Sequence, residues 1–360
     1  MQTMNSIPSI DFNRRRILGG LLALTVASGC ERQPETAGPA DADRPFRLRY
    51  QGTPGFVSFP ELAEDLGYFR NLQLDYQGSI QGGSQDLQAL VSRDVDVATA
   101  FNGAIIKLKA AGIDVVAVVG SYGSDENTGI GFYVKEDSPI RSARDLIGKK
   151  IAVNTLGAHA ELTLKEYLYR GGLSSDEVAQ VEMFVLPPVN SEQAVRAGQV
   201  EVAQLYSILK DKALARGGLR RLFQDTELFG DFTAGAYVFT RDFIERQPAV
   251  VATFTEGTAR AIEWARSQPR EAVIDRMETL LKVRGRNEDA TLARYWKSTG
   301  IAGAGGRVAP AEFQQWIDWL ARDGQLSGGA FAADTLVDNR FNPFHTDPAE
   351  KPAQPRGAPT

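Results

Sequence analysis

The chain carries one cysteine, Cys30, and only two histidines, His159 and His345, in 360 residues. A lone thiol cannot close an internal disulfide, and no Cys/His spacing is present from which a metal site could be built. The strings that cradle a nucleotide phosphate or present a nucleophilic serine, G-x-x-x-x-G-K-[ST] and G-x-S-x-G, are both missing. Asp94 and Asp96, with a counterpart in Glu201, read as a surface turn rather than as an acid–base pair. The net charge is −5 without a basic block, which gives no case for a nucleic-acid partner. Past residue 30 no apolar run reaches the length of a membrane span. The reading is therefore no enzyme, no metal and no cofactor.

What is present begins with an export signal. Arg14-Arg15-Arg16 is a basic segment, Ile17 to Val26 is apolar but short, and Ala27-Ser28-Gly29 is a small-residue processing site before Cys30. Asn13 to Leu18 resembles a twin-arginine signal, with Ile where Phe is usual, and Ala27 to Cys30 resembles a bacterial lipobox. Residues 1–30 are thus expected to be a lipoprotein signal peptide ending at a lipidated Cys30, which places the protein on the periplasmic face of a bacterial membrane. Residues 31–45, rich in Pro, Ala and acids, read as a flexible tether, and 346–360 as a disordered tail.

The plan of the folded part shows in Gly78 to Gly112. A turn at Gln81-Gly82-Gly83-Ser84 opens a helix, a short strand over Val95 to Thr99 runs into Phe101-Asn102-Gly103, and a second helix begins. Gln88 to Gly112 aligns without gaps on Gln193 to Gly217, at an offset of 105 residues. Val95/Val200, Val97/Val202, Lys107/Lys212 and Gly112/Gly217 are identical, and Phe101/Tyr206 and Asn102/Ser207 are conservative. Such a repeat implies two lobes built on one scheme. Strand and helix alternate from Phe46 to Thr240, and mostly helical segments follow, among them Asp289 to Lys297. An α/β fold with parallel-rich sheets follows from that alternation.

Several strings carry a family resemblance: Pro60 to Phe69 (PELAEDLGYF), Gly82-Gly83-Ser84, Asp94 to Ala98 (DVDVA), Asp145 to Val153 (DLIGKKIAV), Gly157-Ala158-His159, Ala261 to Ala265 (AIEWA) and Val337 to Phe341 (VDNRF). In that order they resemble the periplasmic binding proteins of ABC importers for aliphatic sulfonates, taurine and nitrate, a group that includes thiamine-precursor binders. The resemblance implies a two-lobed, type II-like fold with two crossing strands, fitted here by Gly129 to Val134 and Gly235 to Phe239. Lobe 1 is expected over 46–133 and 238–345, and lobe 2 over 134–237. It further implies a monomer that delivers a small organic anion to an ABC permease and its ATPase. A sulfonate or sulfate ester is the leading ligand, with nitrate or a thiamine-pyrimidine precursor behind it. A transporter-independent sensor is the other binding alternative. The related thiamine-pyrimidine synthase, the enzyme rival, uses a Cys-rich motif that this chain does not have.

Helix starts can hold an anion without cations, because their free N–H groups and positive dipole end face the ligand. The candidates are Gly83-Ser84, Asn102-Gly103 and Gly157-Ala158-His159, and the turns that hold them, Gln81 to Ser84, Phe101 to Ala104 and Asn154 to His159, contain no Arg or Lys. Phe56, Phe101 and Tyr206 are expected to pack on the organic part of the ligand. The resembling family often carries Trp at the position of Tyr206. His159 is expected to donate a hydrogen bond, and Gln51, Gln81, Ser121 and Tyr122 are further candidates at strand ends.

Overall fold

The computed structural model describes residues 45–80, 82–326 and 331–345. The expected signal peptide with Cys30, the tether up to residue 44, Gln81 and the tail 346–360 lie outside the described residues.

A first run comprises β1 (Phe46–Gly52), α1 (Phe59–Asp65), β2 (Leu72–Ser79), α2 (Gly83–Val91), β3 (Ala98–Phe101), α3 (Asn102–Ala110) and β4 (Val115–Ser124). The second holds β5 (Gly131–Lys135), β6 (Lys150–Val153), α4 (His159–Arg170), α5 (Ser175–Val178), β7 (Glu182–Val185), α6 (Pro188–Arg196), β8 (Val202–Leu205), α7 (Ser207–Ala215) and β9 (Leu219–Gln224). The chain then returns through α8 (Thr226–Phe229) and β10 (Phe232–Thr240) to α9 (Arg241–Arg246), α10 (Pro248–Ser267), α11 (Arg270–Val283) and α12 (Pro310–Arg322).

The repeat seen in the sequence is a repeat of structure. Helices α2 and α6, and likewise α3 and α7, share their bounds at the same offset. The register pin recurs too. Asp96 takes the Arg49 backbone N–H at 2.9 Å and its own N–H donates to Arg49 O, while Glu201 takes the Lys150 N–H at 2.8 Å and donates to Lys150 O. The acidic residue at each site therefore fastens the approach to the third strand of a lobe onto the first. This also moves β3 from the expected Val95–Thr99 to Ala98–Phe101, because residues 96 and 97 are spent on β1.

Lobe 2 is one sheet in the order β7-β6-β8-β5-β9. In lobe 1 the pairs β1-β2 and β3-β10-β4, joined through Arg49 and Asp96, reproduce that order as β2-β1-β3-β10-β4. β1 with β2 and β6 with β7 and β8 are parallel; every antiparallel pairing involves β5 or β10. These two strands arrive from the opposite lobe, which reverses their direction. The chain passes between sheets after Ser124 and after Gln224, so β5 lies wholly in the lobe 2 sheet and β10 wholly in that of lobe 1. The boundaries read from sequence, 133/134 and 237/238, cut through those strands; apolarity marks a strand but not the sheet that receives it.

Strands β4 and β6 bury side chains on both faces. Along β4, Val116 and Val118 enter one core with Leu48, Phe239 and Phe254, while Val115 and Ala117 enter another with Ile105, Val238 and Trp316. Ile151 and Val153 of β6 do the same against Ala152 in lobe 2. Full burial of each such side chain contributes about 1.5–3 kcal/mol. The segment expected as a helix over Asp289 to Lys297 is a 3-10 turn, Ala290–Tyr295, started by Asp289 accepting from the Thr291 N–H at 3.1 Å.

Candidate functional site

The loop that leads from β1 into α1 carries Phe56, and a buried ionic network holds it. Ser58 and Glu61 form a reciprocal cap at the start of α1. Glu61 also takes hydrogen bonds from Tyr50 at 2.7 Å and Arg286 at 2.8 Å and pairs with Arg284 at 3.2 Å. Burial opposes its ionisation, but Arg284, the Ser58 N–H and Arg286 hold the Glu61 carboxyl below the usual range. Arg284 bonds Glu288, which in turn accepts from the Gly55 N–H at 3.1 Å. The loop is thereby fixed from the α11 side.

Helix α2 starts hard against β3. A Cβ on Gly83 would lie 2.6 Å from Ala100 Cα and 2.9 Å from Thr99 O, so only glycine allows this approach. The Gly82 N-cap is extended and gives no side-chain cap. Helices α4 and α7, starting after Ala158 and Tyr206, also have no side-chain cap. Their first N–H groups have no intrahelical partner.

Gly83, His159 and Ser207, the first residues of these three helices, line one cavity of about 280 Å³ between the lobes. Neither Lys nor Arg contributes to its wall among the described residues. The lobes touch at its rim, where a Cβ on Gly82 would lie 3.4 Å from Asn154 and Thr155. The Phe56 ring meets Tyr206 across the lobes, with centroids 6.1 Å apart and planes at 24°. Burial pushes the Tyr206 phenol up to about 12, so it is a neutral donor or acceptor at ordinary pH.

His159 comes from lobe 2 and is 3% exposed, packed among lobe 1 aromatics. Its ring stacks on Phe101 at 4.8 Å and 6° and meets Phe232 and Trp316 edge-on. Its Nε2 is 2.9 Å from Asp225 Oδ2, a contact off the line of a hydrogen bond. Ser124 donates to the same Asp225 oxygen. This order places the carboxylate between serine and imidazole, so Ser124 does not meet the imidazole and the trio does not have the Ser-His-Asp order of a nucleophilic triad.

Of the residues singled out in the sequence, Gln51, Phe56, Gly83, Ser84, Phe101, His159, Tyr206, Ser121 and Tyr122 line the cavity. Asn102 and Gly157 do not. The Asn102 side chain is buried and donates to Thr233 O at 2.8 Å, so it braces β10. The Gly157 N–H is taken by Glu161 at 2.6 Å. Sequence reasoning missed Thr99, Gln204 and Asp86. Thr99 and Gln204 are partners in the internal repeat, two positions before Phe101 and Tyr206, so the repeat itself carried their signal. Asp86 is an acid in the first turn of a helix, which reads as ordinary dipole compensation.

Sheet order and cleft define a fold class, the periplasmic binding protein fold. Solved relatives are the Escherichia coli periplasmic aliphatic sulphonate binding protein (23% identity, covering 82% of this chain and 92% of that one, TM-score 0.61) and the alkanesulfonate-binding protein of Xanthomonas axonopodis pv. citri bound to MOPS (20%, 83% and 100%, TM-score 0.64). The Synechocystis PCC 6803 periplasmic nitrate-binding protein follows at 12% identity, 82% and 87% coverage and TM-score 0.64. At these identities the likeness establishes the fold.

The chain belongs to the family described as NMT1/THI5 like, whose profile matches residues 61–272, more than half its length. By sequence, an Escherichia coli (strain K12) protein named for aliphatic sulfonate binding is 29% identical over 181 residues. That match covers 49% of this chain and 54% of the relative, about half the length of each.

Proposed function

We propose that the chain is the solute-binding component of an ABC importer, capturing a small organic anion between its lobes and delivering it to a permease. Lobe 1 comprises the β1–β4 run together with β10 and the C-terminal helices, and lobe 2 the β5–β9 run. The observation that carries the reading is the meeting of three helix starts without side-chain caps on one cavity without cations. Such a site attracts negative charge through oriented N–H groups and helix dipoles. Phe56 and Tyr206 supply apolar surface for the organic part. The named binding activities of the relatives favour a sulfonate or sulfate ester. Lipidation at Cys30, after export by the twin-arginine route, would hold the protein at the periplasmic face as a monomer.

Calorimetry on the protein from Glu31 onward tests this reading, with propanesulfonate, an alkyl sulfate ester, nitrate and the thiamine pyrimidine as titrants. Binding of the first two, and not of the neutral pyrimidine, is expected. Saturable binding of the pyrimidine alone would overturn the anion reading and favour a thiamine-precursor carrier.

A further inference from the structure

Asp86 sits in the first turn of α2 and is 1% exposed. One carboxylate oxygen, Oδ2, accepts the Thr99 N–H at 2.6 Å. The other, Oδ1, is buried with no partner among the described residues. Asp86 belongs to the wall of the cavity, to which lobe 1 also contributes the apolar Leu74, Ile80, Val97 and Met277. An isolated carboxylate among apolar side chains is costly unless something pairs with it. Among the described residues no Lys or Arg lines the cavity to do so. Gln51 adds a second buried oxygen without a partner to the same wall.

We infer that Asp86 is a specificity-determining residue, and that the ligand brings a hydrogen-bond donor, an ammonium or hydroxyl group, to its free oxygen while its anionic group lies at the helix starts. This rests on the anion reading above and narrows it to bifunctional ligands. A plain alkyl anion leaves Oδ1 unsatisfied, whereas a donor-bearing one removes the cost of burying it. Burial also pushes the Asp86 carboxyl up to about 7, against the pull of the Thr99 N–H, so a cationic donor would expel a proton on binding.

The test is calorimetry with propanesulfonate and its analogues carrying a terminal hydroxyl or ammonium group, on wild type and Asp86→Asn. The Thr99 N–H needs an acceptor, so the amide oxygen of the substituted side chain takes that place and its NH₂ replaces Oδ1. Wild type should prefer at least one donor-bearing analogue over propanesulfonate by roughly tenfold to a hundredfold. Asp86→Asn should lose that preference while still binding propanesulfonate and unfolding in one cooperative transition in its presence. Equal affinity for all three in both proteins overturns the role of Asp86 and leaves the anion reading standing. So does an Asp86→Asn variant that keeps the wild-type preference. If none of the three binds wild type, the anion reading falls, and this inference with it.

Discussion

Tyr206 of lobe 2 lies stacked on Phe56 of lobe 1, 6.1 Å between centroids, at a boundary also formed by Ile208, Leu209 and Leu292. The pair joins a loop held by the Glu61–Arg284–Glu288 network to the start of α7, so one aromatic contact links the cavity wall to lobe closure. Tyr206→Ala should weaken ligand binding by about 1–3 kcal/mol, the larger loss going with the bulkier ligand. Unchanged affinity across a series of alkyl chain lengths would remove Tyr206 from the binding surface.

Gly83→Ala tests the close approach of α2 to β3. The added methyl meets Ala100 and Thr99 backbone at under 3 Å, and backbone cannot yield as a flexible side chain does. A loss of about 1–3 kcal/mol in stability is expected, read from denaturant unfolding, with weaker binding because the helix start shifts. A variant of wild-type stability and affinity would show that α2 has room to move.

Asp86 should leave a signature in the pH dependence of stability without ligand. Its folded pKa, raised by burial to about 7, lies above the about 3.9 of the unfolded chain. Between those values the folded state binds the extra proton, so this group's contribution to stability falls as pH rises from about 4 to about 7. The upper limit of that loss is roughly 4 kcal/mol. Asp86→Asn should flatten the slope over this window relative to wild type; parallel curves would mean that Asp86 ionises freely.

The lobes are also fastened along α4 and α12. Asp323 accepts from Lys165 at 3.2 Å and Tyr169 at 2.8 Å, and Glu166 accepts from Trp319 Nε1 at 2.8 Å. These contacts must slip or act as the pivot when the cleft opens, a hinge movement of packed elements. Small-angle scattering should give a larger radius without ligand than with it, and Asp323→Ala should enlarge the ligand-free radius further. An identical radius in all states would argue against an opening cleft.

Cys30→Ser should release the protein from the membrane fraction and abolish its acylation. A wild-type protein that is already soluble and unmodified would end the lipoprotein reading.

Local chemistry announces itself in one dimension, and in this chain it announced a good deal. The 105-residue offset gave matching bounds for α2 with α6 and for α3 with α7, because turn residues and apolar spacing set where a helix starts and stops. Gly83-Ser84 was legible as a helix start, and Phe101 and Tyr206 as equivalent positions of the repeat; both line the cavity. The resemblance of scattered strings was enough to reach the family.

Which of the candidate polar groups face the cleft was decided only in three dimensions. Asn102 and Gly157 resemble Ser84 and His159 in their surroundings along the chain, yet Thr233 O and the Glu161 carboxylate consume their polar groups. Asp86 looks like any acid in a first turn until the packing of lobe 1 buries it and leaves one oxygen without a partner among the described residues. Sequence sets what each polar group can donate or accept, but its partner lies up to hundreds of residues away. Whether that partner is protein, water or ligand is therefore settled by the packing of the lobes.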